Sequence, residues 1–459
     1  MKTSRLILLS AALFTSCSFE PALDKPGVEV VPVSFSGNGQ GSASATLNWQ
    51  SFFTDPRLKK LVGMALENNR DLHIAALNVE QARAQYGISR SALFPSVDLS
   101  ATGSRRRTPG STVSGGTAVE TRNYEVSVGV ASYELDIFGR VRSLNHAALE
   151  SYFASDAARV GVQISLVAEV AGQYFRERAL LEQIDLSEQT LKSVSQTYDL
   201  MKTRLDAGDV SELDSRSVEV QVQTAKANLA AYRQQLSETH NALAFLIGGA
   251  LPGNLPTGRS LEKGVVAELK AGVPSELLTR RPDILEAEHQ LKAANANIGA
   301  ARAAFFPRIT LTGGAGTTSR SLSDLFQNGS SAWSFAPQIS VPIFDGGFNK
   351  ANLDVAQVRK QIEVARYERT IQNAFREISD GLAARSGLEE RISAYEGLVE
   401  AQQRRFDLAN QRYTQGVDSY FEVLDAHQQL YSSRQILILL RLNRLTNTVG
   451  LYKALGGGW

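Results

Sequence analysis

Residues 90–101 read RSALFPSVDLSA and residues 302–313 read RAAFFPRITLTG. Both spell Arg-x-Ala-x-Phe-Pro and then alternate apolar with polar side chains, and the two prolines, Pro95 and Pro307, lie 212 residues apart. The segments before them, about 56–94 and 282–306, are rich in Ala, Leu, Glu and Gln at helical spacing and open at Pro56 and Pro282. A residue preceding proline is pushed out of the helical region, so each Phe-Pro pair ends a helix. Beyond each pair comes a strand with one dry and one wet face: Val97 and Leu99 against Asp98 and Ser100, then Ile309 and Leu311 against Thr310 and Thr312.

The repetition extends over the whole chain. At the same offset Asp71 meets Asp283, Ala82 meets Ala294, Gly87 meets Gly299 and Arg90 meets Arg302. Further on, YDLMKTRLDAGDVSELD (198–214) matches FDLANQRYTQGVDSYFE (406–422) at an offset of 208, and LIGG (246–249) matches ALGG (454–457). This is a tandem duplication of a unit far longer than a solenoid repeat. It places a first repeat at 56–252, a linker at 253–273 and a second repeat at 274–459.

Each repeat carries a second alternating segment. In NYEVSVGVA, Tyr124, Val126, Val128 and Val130 share a face, and in SAWSFAPQISVPIF the face carries Trp333, Phe335, Ile339 and Val341. Hairpins are therefore expected at about 96–135 and 308–343, joined by GSRRRTPGSTVSGGTAVETR and GGAGTTSRSLSDLFQNGSS, whose Gly, Ser and Thr content reads as loop. One hairpin alone would suit a half-buried sheet in a soluble α+β domain. Four strands interrupted by very long helices suit instead a lipid-facing band with interfacial aromatics, and four are too few to close a barrel, whereas three copies supply twelve.

After LDIFGRV (135–141) and PIFDGGF (342–348), no proline interrupts Val141–Leu205 or Asn349–Tyr413. Helices of that length run roughly 100 Å. Ile184, Leu191, Val194, Tyr198, Met201 and Leu205 recur at heptad spacing, and the shifted frame gives Ile392, Val399, Gln402, Phe406, Ala409 and Tyr413. Each long helix turns at a glycine, Gly208 or Gly416, and returns as a shorter limb, giving coiled-coil pairs at 141–248 and 349–455.

Composition narrows the chemistry. The chain has 459 residues and a net charge of +1, which predicts no polyanion partner and no nucleic-acid partner. MKTSR followed by LILLSAALF is an export signal over residues 1–16, too short to persist as a spanning helix. The single cysteine, Cys17, follows at once, so no intrachain disulfide is possible. Leu13-Phe14-Thr15-Ser16-Cys17 resembles a bacterial lipobox, which makes Cys17 the acylated first residue of an extended segment over 17–55; a simple signal peptide cut nearby is the alternative. The five histidines, His73, His146, His240, His289 and His427, lack ligand spacing, and GGAGTTS lacks the Gly-Lys-Ser/Thr of a phosphate loop. No metal, no catalytic residue and no cofactor beyond the covalent lipid is expected, and no enzyme.

The lipobox-like FTSC, the duplicated Phe-Pro hairpins, ELDIFGRVR with its partner PIFDGG, and QRYTQGVDSYFEVLDAHQQLY together resemble the outer membrane factor family typified by TolC, in its lipoprotein branch. The resemblance implies a homotrimer: a twelve-stranded barrel in the outer membrane of a Gram-negative bacterium, continued by a twelve-helix periplasmic α-barrel that opens like an iris. It implies an exit duct for drugs or other small toxic solutes, delivered by a proton-driven inner-membrane pump through a periplasmic adaptor. By the same resemblance Glu422 and Asp425 ring the gate, and Tyr413 with Asp214 makes a closing link. Asp418 replaces the arginine of a second link. Gly208, Ser211, Gly416 and Ser419 form the turns that an adaptor engages. A protein-secretion duct and a lipid-anchored scaffold without a pore stand as alternatives.

Overall fold

The computed structural model describes residues 19–23, 47–262, 264–269 and 280–458; Cys17, the export signal and part of the linker lie outside the described residues. In chain order the elements are α1 (Trp49–Phe52), α2 (Pro56–Asn68), α3 (Arg70–Ser91), β1 (Asp98–Thr108), β2 (Val119–Leu135), α4 (Arg140–Ala207), α5 (Glu212–Leu246), α6 (Pro282–Ala303), β3 (Arg308–Ser319), β4 (Ser331–Ser340), α7 (Phe348–Thr414) and α8 (Tyr420–Ala454). The long helices hold 68 and 67 residues. The expected helix over 56–94 is broken at Asn69, whose side chain caps the second piece by accepting from the Leu72 N–H.

Two compact units emerge, and both repeats contribute to each. The first takes in Asn78–Ser155 and Glu286–Tyr367 and contains one four-stranded antiparallel sheet in the order β1-β2-β3-β4. Leu99 pairs with Val128, Val128 with Ala315 and Ala315 with Trp333, so one face is apolar from strand to strand. A bulge between Val130 and Tyr133 shifts the phase by one residue, which returns Tyr133 and Leu135 to that same face opposite Leu311 and Ile309. The face is uncovered in the single chain: Trp333 is 81% and Phe335 63% exposed.

The strands are much longer than their composition suggests. GSRRRT belongs to β1 and GGAGTTS to β3, and the true loops shrink to 109–118 and 320–330. The glycines sit in strands because β2 and β3 approach closely: a side chain at Gly129 would collide with the backbone of Gly313 and Gly314. Ser104, Arg106, Thr108 and Thr318 fit because they have the parity of the opposite, wet face.

The second unit, which includes Asp156–Leu285 and Glu368–Trp459, holds the main hydrophobic core. Phe52, Phe53, Leu58, Leu61, Tyr174 and Tyr452 pack there, with the Phe52 and Tyr452 rings stacked at 4.1 Å. Asp55, fully buried, organises the polar side of this core. Its Oδ1 accepts the N–H groups of Arg57 (2.8 Å) and Leu58 (3.1 Å), capping α2, and its Oδ2 accepts the Tyr174 hydroxyl (2.6 Å) and the Arg259 N–H (2.7 Å).

The duplication is visible in how each repeat ties its returning helix. Asn69 Nδ2 donates to the Leu246 carbonyl at the end of α5 (2.9 Å), and Arg281 Nη1 donates to the Ala454 carbonyl at the end of α8 (3.0 Å). Gly248 and Gly456, both at positive φ, lie against the carbonyls of Asn68 and Arg280, where a β-carbon would crowd the chain. Arg281 needs neutralising, and Asp283 (2.6 Å) and Glu377 (2.9 Å) do so.

Candidate functional site

The coiled-coil register read from the heptads holds. Val194 and Met201 are buried, and Val222 and Ala225 from α5 close on Val194, with Leu191 and Tyr198 alongside. In the second pair Ala409, Val423 and Ala426 are the buried centre, flanked by Phe406, Tyr413 and Tyr420.

Both turns close on glycine in the left-handed region, Gly208 at φ +83° and Gly416 at +72°. The N–H of Asp209 bonds the Arg204 carbonyl and that of Val417 the Arg412 carbonyl, both at 2.9 Å, satisfying helix-end acceptors. Beyond the turns the copies diverge. Ser211 caps α5: its hydroxyl accepts the Asp214 N–H at 3.1 Å and donates to the Asp214 carboxylate at 2.7 Å. Ser419 precedes α8 without a side-chain cap, and its carbonyl receives the Glu422 N–H at 3.3 Å.

The acidic residues of the second turn are paired within the chain. Arg405 on α7 donates to Asp425 at 2.6 Å and lies 3.8 Å from Glu422, so one guanidinium gathers both expected gate acids. Asp418 is held by Arg412 through a two-nitrogen fork, and that hydrogen-bonded pairing keeps its exposed carboxyl below the usual range. Where the resemblance leaves the second link absent or rebuilt, Asp418 thus makes a local pair with Arg412.

Tyr413 and Asp214 are not brought together. Asp214 is engaged by Ser211, while the Tyr413 hydroxyl accepts from Arg204 Nη1 at 2.9 Å, with the Arg204 guanidinium 5.9 Å from the ring centre. This contact joins α4 to α7, and others join the two coiled coils in the same manner. Tyr420 stands edge-on to Tyr413 at 5.1 Å; burial pushes its hydroxyl above the ordinary value, and a hydrogen bond with Thr197 opposes that shift. Ser187 meets the Tyr431 hydroxyl at 2.9 Å, and Gln435 donates to the Tyr232 hydroxyl at 2.8 Å. Of these residues only Tyr413 stands out in the sequence.

In the first unit, residues 19–23 dock on α6. Phe19 stacks on Phe306 at 4.4 Å, Asn295 Nδ2 donates to the Pro21 carbonyl at 2.8 Å, Arg302 to the Phe19 carbonyl at 3.3 Å, and His146 meets Glu20 at 3.0 Å. Gly299 leaves room for the Glu20 backbone, which a β-carbon would approach to 3.0 Å. Among the described residues there is no group of His, Cys, Asp and Glu suited to a metal, and no helix long and apolar enough to cross a membrane.

Comparison with known proteins agrees with this architecture. The model of the outer membrane efflux protein family matches the chain twice, over residues 61–249 and 273–457. The solvent efflux pump outer membrane protein SrpC of Pseudomonas putida is 46% identical over 466 residues, covering 100% of this chain and 99% of its own length. The probable efflux pump outer membrane protein TtgC of the same species is 44% identical over 459 residues, covering 99% of this chain and 95% of its own. The open state of the MtrE outer membrane channel of Neisseria gonorrhoeae superposes with a TM-score of 0.88 at 42% identity, covering 96% of this chain and 98% of that one. Two family matches that fall on the two repeats, full-length relatives and a shared fold make this chain a member of the outer membrane efflux protein family, an outer-membrane channel component with the TolC-like fold.

Proposed function

We propose that three copies of this chain close their sheets edge to edge into one barrel and form the exit duct of a tripartite efflux system. The observation that carries this is the sheet: four strands with both edges, β1 and β4, unpaired among the described residues and an apolar face bare to solvent. A sheet of this kind is stable when its edges are paired and its apolar face meets lipid. A pore-free scaffold would leave both unmet.

The duct performs no catalysis in this reading. Cargo reaches it from an inner-membrane pump through a periplasmic adaptor that engages the turns at Gly208–Ser211 and Gly416–Ser419. Relatives named for solvent and toluene efflux support small apolar toxic solutes as cargo. The periplasmic tip is the gate: the tyrosine contacts hold neighbouring coiled coils together, and Glu422 and Asp425 place carboxylates at the aperture. Acylation of Cys17 tethers the chain in this reading, and residues 19–23, docked on α6, follow that tether.

Reconstitution of the purified full chain in planar bilayers tests the proposal. A heat-sensitive trimer with cation-selective conductance is expected, and a monomer without conductance overturns it. Labelled palmitate should enter the wild-type chain and not Cys17→Ser; equal labelling removes the lipid assignment.

A further inference from the structure

The apolar sheet face ends in an abrupt change of charge. On β2 its side chains run upward from Leu135 through Val128 and Val126 to Tyr124, the last large apolar ring before the loop at 109–118. Beyond Tyr124 the same face presents Arg122 opposite Arg105, then Glu120 opposite Arg107. At about 3.3 Å per residue these pairs lie about 7 and 13 Å past the aromatic ring. Leu135 to Tyr124 spans roughly 35 Å of strand, which at the tilt of a barrel matches an apolar band of about 25 Å. The arginines therefore stand at headgroup level. They are at the loop end of the hairpin, opposite the end where α3 and α4 attach, which is the extracellular end of an outer-membrane channel.

Like charges directly opposite on a strand pair are unfavourable unless something neutralises them. Here Glu120 reaches both Arg105 and Arg122, leaving three guanidiniums to one carboxylate. Arg107 has no partner among the described residues, and Glu125, the next acid on β2, has the opposite parity and belongs to the wet face. Arg105 and Arg122 remain 64% and 50% exposed despite their pairing. Two positive charges are thus left over on a surface that faces membrane, where an unmatched guanidinium is stabilised by phosphate, which it binds through paired N–H donors.

We propose that Arg105, Arg107 and Arg122 form a binding site for the phosphate groups of the outer-leaflet lipid that surrounds the barrel. The inference rests on the outer-membrane channel reading above, since only that reading places this face against lipid. Glu120 holds Arg105 and Arg122 in place, and Arg107 supplies the free donor. Arg106, between two members of the site, has the opposite parity and faces the lumen side, so it takes no part.

The test uses the full-length chain purified as its assembly in detergent and mixed with lipid A carrying both phosphates or with dephosphorylated lipid A, bound lipid being counted by native mass spectrometry. With roughly fivefold in affinity per surface arginine, the two surplus charges should give the phosphorylated form about a twentyfold preference. R105Q/R107Q/R122Q should abolish that preference, and R107Q, which breaks no pair among the described residues, should reduce it about fivefold. R106Q removes the same charge from the other face and should leave it intact. Equal binding of the two lipids by the wild type, or a loss in R106Q as large as in R107Q, overturns the proposal. So does full displacement of the lipid by an equal concentration of inorganic phosphate, which would mark a site for soluble anions. Conductance in the same preparations separates the two levels: a conducting wild type without lipid preference refutes this site alone, whereas a wild type that neither conducts nor assembles refutes the channel reading.

Discussion

Replacing Tyr413 by Phe should open the duct. The ring is kept, and with it the edge-on packing against Tyr420 at 5.1 Å, so the change is confined to the hydroxyl that receives Arg204 Nη1 at 2.9 Å. Arg204 is exposed and regains water when the bond is lost, which puts the cost at the low end for a hydrogen bond, about 0.5–1 kcal/mol per chain. Three equivalent links broken together on opening give about 1.5–3 kcal/mol, a shift of about ten- to a hundredfold in the ratio of open to closed channels. Single-channel recording in planar bilayers reads that ratio as open probability. Arg204→Gln removes the hydrogen bond and the guanidinium over the ring, so its effect should be at least as large, and the double variant should add little to it. An unchanged open probability in Tyr413→Phe, or single effects that simply add in the double variant, refutes the link as a closing contact.

Arg405→Gln should leave Asp425 and Glu422 without their shared cation; the reversal potential in a salt gradient should then shift toward stronger cation selectivity, and divalent cations should block more tightly, with Arg405→Lys partly restoring both. Asp55→Ala should cost about 3–5 kcal/mol, because a helix cap is lost and two donors, the Tyr174 hydroxyl and the Arg259 N–H, are stranded in a fully buried site. Guanidinium unfolding followed by tryptophan fluorescence should report it, and a loss under about 1 kcal/mol would show that the network is dispensable. Burial, with Arg434 nearby, lowers the His427 imidazole below its ordinary 6.5. The folded tip therefore binds fewer protons than the opened one: its stabilisation is complete above about pH 6.5 and is lost as pH falls through the depressed value. Hydrogen exchange around Phe406, whose ring lies 5.1 Å from that of His427, should accelerate on mild acidification in the wild type and not in His427→Phe.

The parts of this fold that arise from local chemistry are legible in the sequence. Phe-Pro ends a helix wherever it stands, and heptads of Val, Leu and Tyr specify a coiled coil, so Val194 and Met201 fall inside as their spacing requires. The strand lengths are not legible. GSRRRT and GGAGTTS carry the Gly, Ser and charge of loops, and only the pairing partner explains them: Gly129 against Gly313 is a requirement of β2–β3 contact that neither segment shows by itself. The break at Asn69 is hidden for a similar reason, since its amide is committed to Leu246, far away in sequence. At the tip, Gly208, Gly416 and Ser211 obey turn and cap rules, whereas the roles of Arg204, Arg405 and Arg412 depend on which side chain crosses to which helix. One signal is present: Tyr420 and Tyr431 are eleven residues apart, about three helical turns, and so share the face of α8 that reaches α4.

The two copies also differ in how the acids beyond their glycine turns are held, although Asp214 in the first stands where Glu422 stands in the second. Two repeats that began alike must each tie the returning helix to the start of its own repeat, and they still do, through Asn69 in the first and Arg281 in the second. The second solution buries a guanidinium and so requires Asp283 and Glu377 beside it. The same divergence recurs at the turns. In the first copy Ser211 answers Asp214 and the ion pairs of Arg216 with Glu212 and Glu219 stay within α5, whereas the second commits two arginines of α7, Arg405 and Arg412, to three carboxylates in the turn and α8. Screening a pair within one helix leaves the contact between limbs in place, whereas pairs that cross from α7 to the turn and α8 weaken as salt screens them. Movement at the tip should therefore begin in the second coiled coil, with α7 and α8 loosening at high ionic strength while α4 and α5 hold.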